Sequence, residues 1–569
     1  MRRPAPRERQ AGRRLPRGSG VARVRGVLRL GHPPHLSSLR RRDAAPAGPG
    51  LNAPDRRRSP LPTLALAVLL VHGCALTAHF AYTNTRLETP EPKAPHASFE
   101  IRKRPSKQQG DVLVLLALSG GGSRAAYFSA RTMQALEHVP GPRGTPLNVL
   151  NEVDLISSVS GGSLAAAYYA SSYEPGVAPI PKGRRVWDER TVTDLMSRNY
   201  IARWVANWFW PANIVRFWFT AFDRTDIMAQ TFADNFFDSP RTGIDLRMRD
   251  LNPGRPNLIL NATIGSRSYD TEDPARAKRF GTVFTFTHED FAAKLNSEIA
   301  DYELARAVMA SATFPAAFNY MTLRDLHEPA GCPDHGKPCY VHVFDGGNSD
   351  NLGLLSLKRV LLSNHAAKIR DARRIVVIFV DAFRHALGAD PTAADPRGVM
   401  SYVVDHNFLD ATDSLLEGNR ERTLDTFFAR TIGAYTKPEQ CQRDNLPDHA
   451  CVASAGWRGP RPDELTAALR AKMFFFHVTF DAVTDGPVRD RLHAIPTTFT
   501  FADGEMEAIR GGVANIFGDG ANRAARDCVQ LLAALIDAPA VTRPVVEGNP
   551  WCGGGSLGEK GERQRLQKR

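Results

Sequence analysis

Apolar runs of five to eight residues recur along the chain, separated by segments with helical spacing. Val112–Leu118 (VLVLLAL), Asn257–Ile264 (NLILNATI), Arg374–Val380 (RIVVIFV) and Met473–Phe480 lack the regular polar alternation of a half-exposed strand. They predict strands buried on both faces of a mostly parallel sheet, and Val153–Val159 predicts another. Thr282–Thr287 and Tyr340–Phe344 predict shorter strands. Ala125–Glu137, Gly161–Ser171, Asp301–Ala312, Leu352–Leu362 and Met506–Ile516 predict helices, the last being the final helix of the chain. Trp187–Phe237 and Met400–Thr431 read as helical in parts, and 436–462 as a Cys/Pro/Asn-rich loop. The alternation predicts an α/β protein in three layers, with helices on both faces of a central sheet.

Charge and composition divide the chain further. Its 569 residues carry a net charge of +13, and residues 1–58 hold sixteen arginines against only Glu8, Asp43 and Asp55. The rest is therefore neutral, which argues against a nucleic-acid partner, because such a protein carries its basic surface on the folded body. Residues 1–58 are Arg/Pro-rich without apolar periodicity and read as a disordered leader. Residues 59–74 read as a signal peptide or membrane anchor, 75–108 as a tether and 109–365 as the core. Residues 366–552 read as a C-terminal α/β extension of the same body, and 553–569 as a loose tail.

Arg56-Arg57-Arg58 precede the apolar Leu61–Val71, and the run closes at His72-Gly73-Cys74. A basic flank, a short apolar stretch and a small residue make a secretory signal. Leu70–Cys74 resembles the lipobox of bacterial lipoproteins, with His72 and the long basic region as departures. That resemblance implies lipidation at Cys74 and a body on the periplasmic face of a bacterial membrane. An uncleaved anchor over Leu61–Tyr82, or a soluble or cleaved form, are the alternatives. The other six cysteines fall into local pairs: Cys332 with Cys339, Cys441 with Cys451, Cys528 with Cys552. In an exported protein these read as disulfides, although His335 between the first two also allows zinc.

Three turns carry candidate chemistry. At the end of the first strand, Gly120-Gly121-Gly122-Ser123-Arg124 removes side chains where a helix begins, so backbone amides can face one small anionic region. Ser158-Val159-Ser160-Gly161-Gly162 has the grammar of a nucleophile elbow, a tight strand-to-helix turn with small neighbours. Ser-Gly-Gly-Ser alone is also an ordinary loop or helix cap. Asp345-Gly346-Gly347 ends a strand with an uncrowded carboxylate, although Asp-Gly is also a common turn. In a parallel sheet, such strand ends share one crevice.

Taken together and in this order, the three motifs resemble those of the patatin-like phospholipases. Met309–Pro315 is similar to that family's small-residue helix before a proline, and the resemblance covers roughly Asp111–Lys358. It implies a three-layer α/β/α fold, a Ser160–Asp345 dyad without histidine and hydrolysis of lipid acyl esters. Gly120, Gly121 and Gly122 would form the oxyanion hole, and burial would raise the Asp345 pKa. Ser158 replaces the usual glycine, and Ala125 stands where glycine often follows the arginine. Arg124 would meet a phosphate, or brace a nearby turn, helix or loop.

An α/β-hydrolase triad would need a histidine after Asp345. His406, His449, His477 and His493 lack a glycine-flanked strand-end turn and read as surface or core residues. Ile201–Phe222 holds four of the seven tryptophans with Arg203 and Arg216. It reads either as a lid or interfacial docking segment, or as a covering layer for the core. No motif calls for a metal, nucleotide or flavin. The expected partners are a phospholipid or another acyl-ester lipid, and a membrane surface. An acyltransferase using the same site, or a non-catalytic lipid-binding lipoprotein, are the rival functions.

Overall fold

The computed structural model describes residues 82–554 apart from short internal stretches, the longer ones being 177–184, 238–244, 269–275, 328–337, 386–405, 428–471 and 538–548. The leader, the apolar segment with Cys74, the 436–462 loop and the tail from 555 lie outside the described residues. Among the described residues, no helix is long and apolar enough to cross a membrane.

The chain opens with β1 (Val112–Leu118), α1 (Gly122–Leu136), β2 (Val153–Val159) and α2 (Gly161–Ser171). A helix pair, α3 (Tyr200–Trp208) and α4 (Pro211–Phe219), precedes β3 (Asn257–Ile264) and β4 (Val283–Thr285). Next come α5 (Leu304–Ser311), β5 (Met321–Asp325), β6 (Cys339–Asp345), α6 (Leu354–Leu361) and β7 (Arg374–Asp381). The C-terminal part adds α7 (His406–Phe427), β8 (Met473–Thr479), α8 (Gly486–Ala494), α9 (Glu505–Phe517), α10 (Arg523–Asp537) and β9 (Cys552–Gly554).

The strands form one nine-stranded sheet in the order β9-β8-β7-β1-β2-β3-β6-β5, with β4 also paired to β3. The five strands β8, β7, β1, β2 and β3 are mutually parallel, and antiparallel strands flank them. Every residue of β1 is buried, because alternate side chains enter different cores. Val112, Val114, Leu116 and Leu118 pack with Phe128 of α1, Tyr168 of α2 and Leu532 of α10. Leu113, Leu115 and Ala117 pack with Leu357 and Leu361 of α6 and Phe427 of α7. Each fully buried aliphatic side chain is worth roughly 2 kcal/mol, so a strand with two dry faces belongs at the centre of the sheet.

The C-terminal extension is inseparable from this sheet, since β7 pairs with β1 along its whole length, from Arg374 opposite Val112 to Val380 opposite Leu118. Three expectations require correction. Within the expected tether, residues from Asn84 onward lie on the body: Thr85–Arg86 pairs with Ser297–Glu298, and Ala94 and Ala97 are buried. Met506–Ile516 is not the final helix, for α10 follows it with Leu531, Leu532, Leu535 and Ile536 packed inward. Gly553 and Gly554 do not belong to a loose tail but pair with Phe475 and Phe474 in edge strand β9. Cys528 and Cys552 are joined, their Cα atoms 5.6 Å apart, which ties α10 to that strand. Cys339 is also disulfide-bonded, and its expected partner Cys332 lies outside the described residues, as do Cys441 and Cys451.

Candidate active site

Ser160 occupies the turn between β2 and α2 at φ 49° and ψ −119°, a conformation costly for a residue with a Cβ. Close backbone packing holds it there. A Cβ on Gly161 would collide with the Gly122 carbonyl oxygen, so the elbow and the glycine turn after β1 touch backbone to backbone. The Ser160 amide donates to Ser311 Oγ at 2.9 Å, and Ser311 Oγ donates to the Asn261 carbonyl at 2.6 Å. Thus α5 and β3 both fix the elbow. Ser158, in place of the usual glycine, is fully buried and donates to the Ile259 carbonyl at 3.3 Å.

Asp345 arrives from an unexpected direction. Its strand β6 runs antiparallel to β3 rather than parallel, and pairs with it over only three residues, Val343–Asp345 against Ile264–Ala262. The short overlap stops β6 just inside the edge of the sheet, where β2 also ends. Ser160 Oγ donates to Asp345 Oδ2 at 2.8 Å, and the Gly347 amide donates to Oδ1 at 2.8 Å. Ser160 is 7% exposed and Asp345 5%. Burial pushes the Asp345 carboxyl up to about 6, against the smaller stabilising effect of the Gly347 amide and the Ser160 hydroxyl. A carboxylate with that pKa can take a hydroxyl proton near neutral pH far better than a solvated aspartate.

The three glycines divide in role. The Gly120 amide donates to the Asn351 carbonyl at 3.0 Å, so it is not available to an oxyanion, which corrects its expected place in the hole. Gly121 lines the pocket beside Ser160 and Asp345. Among the described residues, neither the Gly121 nor the Gly122 amide bonds to a protein acceptor. Gly122 has φ 61°, and a Cβ there would run into the Thr498 carbonyl. Arg124 is buried, with Nε donating to the Ala382 carbonyl at 2.9 Å, one Nη to the Ile495 carbonyl and the other to Thr497 Oγ1 at 3.3 Å. It therefore braces α1 against two C-terminal segments, and it also lines the pocket beside Ser160 and Asp345.

The pocket over the dyad draws Phe314 from the loop after α5, Phe383 and Arg384 from the loop after β7, and Leu416 from α7. Asn351 and Ser311 position the site without having been singled out from the sequence, although Ser311 lies inside the Met309–Pro315 segment that was. Asn351 sits two positions before the left-handed Gly353, beside the buried Asp350 that accepts the Leu352 and Leu355 amides.

Residues 116–358 match the family model described as patatin-like phospholipase. The chain carries a patatin-like phospholipase domain. That family comprises lipid acyl hydrolases, and the patatin-like domain here has a mixed, mostly parallel sheet with an added C-terminal region. No curated protein sequence matches the chain. Among solved structures, VipD from Legionella pneumophila is 12% identical over 78% of this chain and 71% of its own, with a TM-score of 0.24. Human GIVD cytosolic phospholipase A2 is 13% identical over 50% of this chain and 45% of its own, with a TM-score of 0.27. The ExoU–SpcU complex from the type III secretion system of Pseudomonas aeruginosa gives 16% over 73% and 76%, with a TM-score of 0.17.

Among the described residues, one group outside the dyad has metal-ligand composition: His385, Asp481 and His493, whose ligand atoms lie within 4.8 Å of one another. His493 Nδ1 accepts the His385 amide at 3.3 Å, which places the proton of a neutral ring on Nε2, facing Asp481 Oδ1 at 3.2 Å. That tautomer makes the group a hydrogen-bonded triad. Burial opposes ionisation of Asp481, but the two histidines hold its carboxyl well below the usual range. His477 is likewise spoken for, since its Nε2 lies 3.1 Å from Asp381, which also binds Arg420 of α7. Both buried histidines thus face carboxylates other than Asp345, while Ser160 Oγ donates to Asp345. The His406 side chain and His449 lie outside the described residues.

Proposed function

We propose that the protein hydrolyses an acyl ester of a phospholipid or related lipid with Ser160 as nucleophile and Asp345 as general base. The observation that supports this most strongly is the 2.8 Å hydrogen bond from Ser160 Oγ to a buried Asp345 whose pKa is raised to about 6. In the first half-reaction Ser160 Oγ attacks the ester carbonyl while its proton passes to Asp345. The amides of Gly121 and Gly122 stabilise the oxyanion. Collapse breaks the ester C–O bond, and the leaving alkoxide takes the proton from Asp345. In the second half-reaction water attacks the acyl-Ser160 ester and gives a proton to Asp345. Collapse releases the fatty acid, and that proton returns to Ser160.

Lipidation at Cys74 and placement at a periplasmic membrane face form part of the same reading, and rest on the sequence of 59–74 alone. The test is hydrolysis of short-chain nitrophenyl esters by wild type, Ser160→Ala and Asp345→Asn. Each variant should lose at least about a thousandfold in kcat. Equal rates in all three would remove both residues from the mechanism.

A further inference from the structure

Helices α3 and α4 carry apolar side chains outward as well as inward. The polar Asn213 is 1% exposed and donates its side-chain amide to the Asn207 carbonyl at 2.8 Å and to Gln230 Oε1 at 3.0 Å. Asn207 in turn donates to Thr231 Oγ1 at 2.9 Å. The surface that faces away from the body is apolar instead. On α3 it follows one helical stripe, Ile201, Val205 and, just past the helix end, Phe209, the last 72% exposed. Around α4 it comprises Trp210, Val215, Trp218 and Phe219, between 57% and 64% exposed. Lone exposed apolar residues are unremarkable, but two tryptophans and two phenylalanines exposed on one helix pair are not, and they mark a contact surface.

Two further observations fix what the surface contacts. From Met196 to Phe222 there is no acidic residue, while Arg203 and Arg216 are exposed and form no ion pair among the described residues. The Arg216 guanidinium stacks over the Phe222 ring, 4.5 Å from its centroid, which holds a cation on α4 beside the exposed rings. Indole and phenyl rings beside unpaired arginines fit the boundary between acyl chains and anionic headgroups. The pair is also rooted at the rim of the catalytic pocket. The Tyr200 amide donates to the Phe499 carbonyl, two residues from the pocket-lining Thr497. The ring of Trp204 packs on Phe318 at 5.4 Å, and the Phe318 amide bonds to the carbonyl of pocket-lining Phe314.

We infer that α3 and α4 dock the enzyme on an anionic phospholipid bilayer, with Phe209, Trp210, Trp218 and Phe219 inserted at the headgroup boundary and Arg203 and Arg216 on the phosphates. This rests on the lipid-hydrolase reading for its choice of partner, and it places the pocket mouth beside the surface that holds the substrate.

The test uses the full chain and reads tryptophan fluorescence against vesicles of phosphatidylcholine and phosphatidylglycerol carrying brominated acyl chains. Quenching by inserted rings reports this surface, whatever membrane affinity residues 59–74 contribute. Wild type should be quenched, and Trp210→Phe/Trp218→Phe should lose most of that quenching while still sedimenting with the vesicles. Phe209→Ser/Phe219→Ser should lower partitioning of the quenched form at least tenfold. Arg203→Glu/Arg216→Glu should do so only on phosphatidylglycerol-containing vesicles, by at least about tenfold. All variants should keep wild-type turnover of a water-soluble nitrophenyl ester, so loss of docking is separable from loss of catalysis. Absence of quenching in wild type, or quenching unchanged in the tryptophan variant, would overturn the proposal. So would a concentration-dependent dimer in sedimentation velocity that Phe209→Ser/Phe219→Ser abolishes, because a second copy would then cover the surface.

Discussion

Asp345 is kept out of water by the turn that aims it at Ser160, and its raised pKa has two measurable consequences. Since the base must be ionised, kcat/KM on a soluble ester should rise with pH and reach half its maximum near pH 6, where Asp345 titrates. A plateau extending unchanged to pH 4.5 would mean that another group is the base. The second consequence concerns stability. A carboxyl whose pKa lies higher in the folded than in the unfolded chain stabilises the fold below about pH 4, and that contribution is lost as pH rises through about 6. At pH 7.5 the buried ionised Asp345 should therefore cost up to about 3 kcal/mol. Asp345→Asn, which keeps an acceptor for the Gly347 amide, should raise Tm at pH 7.5 and lose that gain at pH 4. Thermal unfolding at the two pH values checks the sign. Ser160 and Asp345 were both legible in the sequence, because each sits at an end of an apolar run and is followed by two glycines. Asn351 and Ser311 were not singled out, since an asparagine carbonyl and a serine hydroxyl that hold backbone amides leave no signature in spacing.

Arg124 lines the pocket over Ser160 and Asp345 and also ties the C-terminal segments to it. It begins α1 next to the glycine turn, yet its guanidinium is spent on the Ala382 and Ile495 carbonyls and on Thr497. Replacing it with alanine leaves two buried carbonyls without donors, at a cost of roughly 2–4 kcal/mol. Arg124→Ala should accordingly lower Tm by several degrees, whereas the ratio of KM values for anionic and zwitterionic lipids should not change. A selective rise in KM for one headgroup would instead assign Arg124 to the substrate. The same scale explains which elements the hydrophobic pattern revealed. Strands β1, β3, β7 and β8 are buried or nearly so on both faces and announce themselves as apolar runs. Strand β5 (MTLRD) is short and carries Arg324 and Asp325, and β9 is built from a cysteine and two glycines, so neither has a pattern to read. Helix α10 is different. Its 3.6-residue repeat of leucines was present in the sequence beyond the point taken as the final helix.

For the whole molecule, the decisive feature is that β7, contributed by the C-terminal part, completes the centre of the sheet rather than its edge. The segment matched by the family model ends at residue 358, before that strand begins. A chain cut after residue 365 would expose β1 along a row of unpaired backbone groups and uncover both hydrophobic faces. It should fail to fold, and its circular dichroism should lack a cooperative thermal transition. Sequence alone placed the extension in the same body but not at the centre of its sheet, because strand order depends on which faces are dry on both sides after folding. The central claim is that three distant turns create one nucleophile at Ser160, activated by Asp345. Labelling the intact chain with a fluorophosphonate, followed by peptide mapping, tests it most directly. The account predicts one adduct, on Ser160, formed in wild type and slowed at least a hundredfold in Asp345→Asn. An adduct on a different serine, or equal labelling rates in the two proteins, would contradict it.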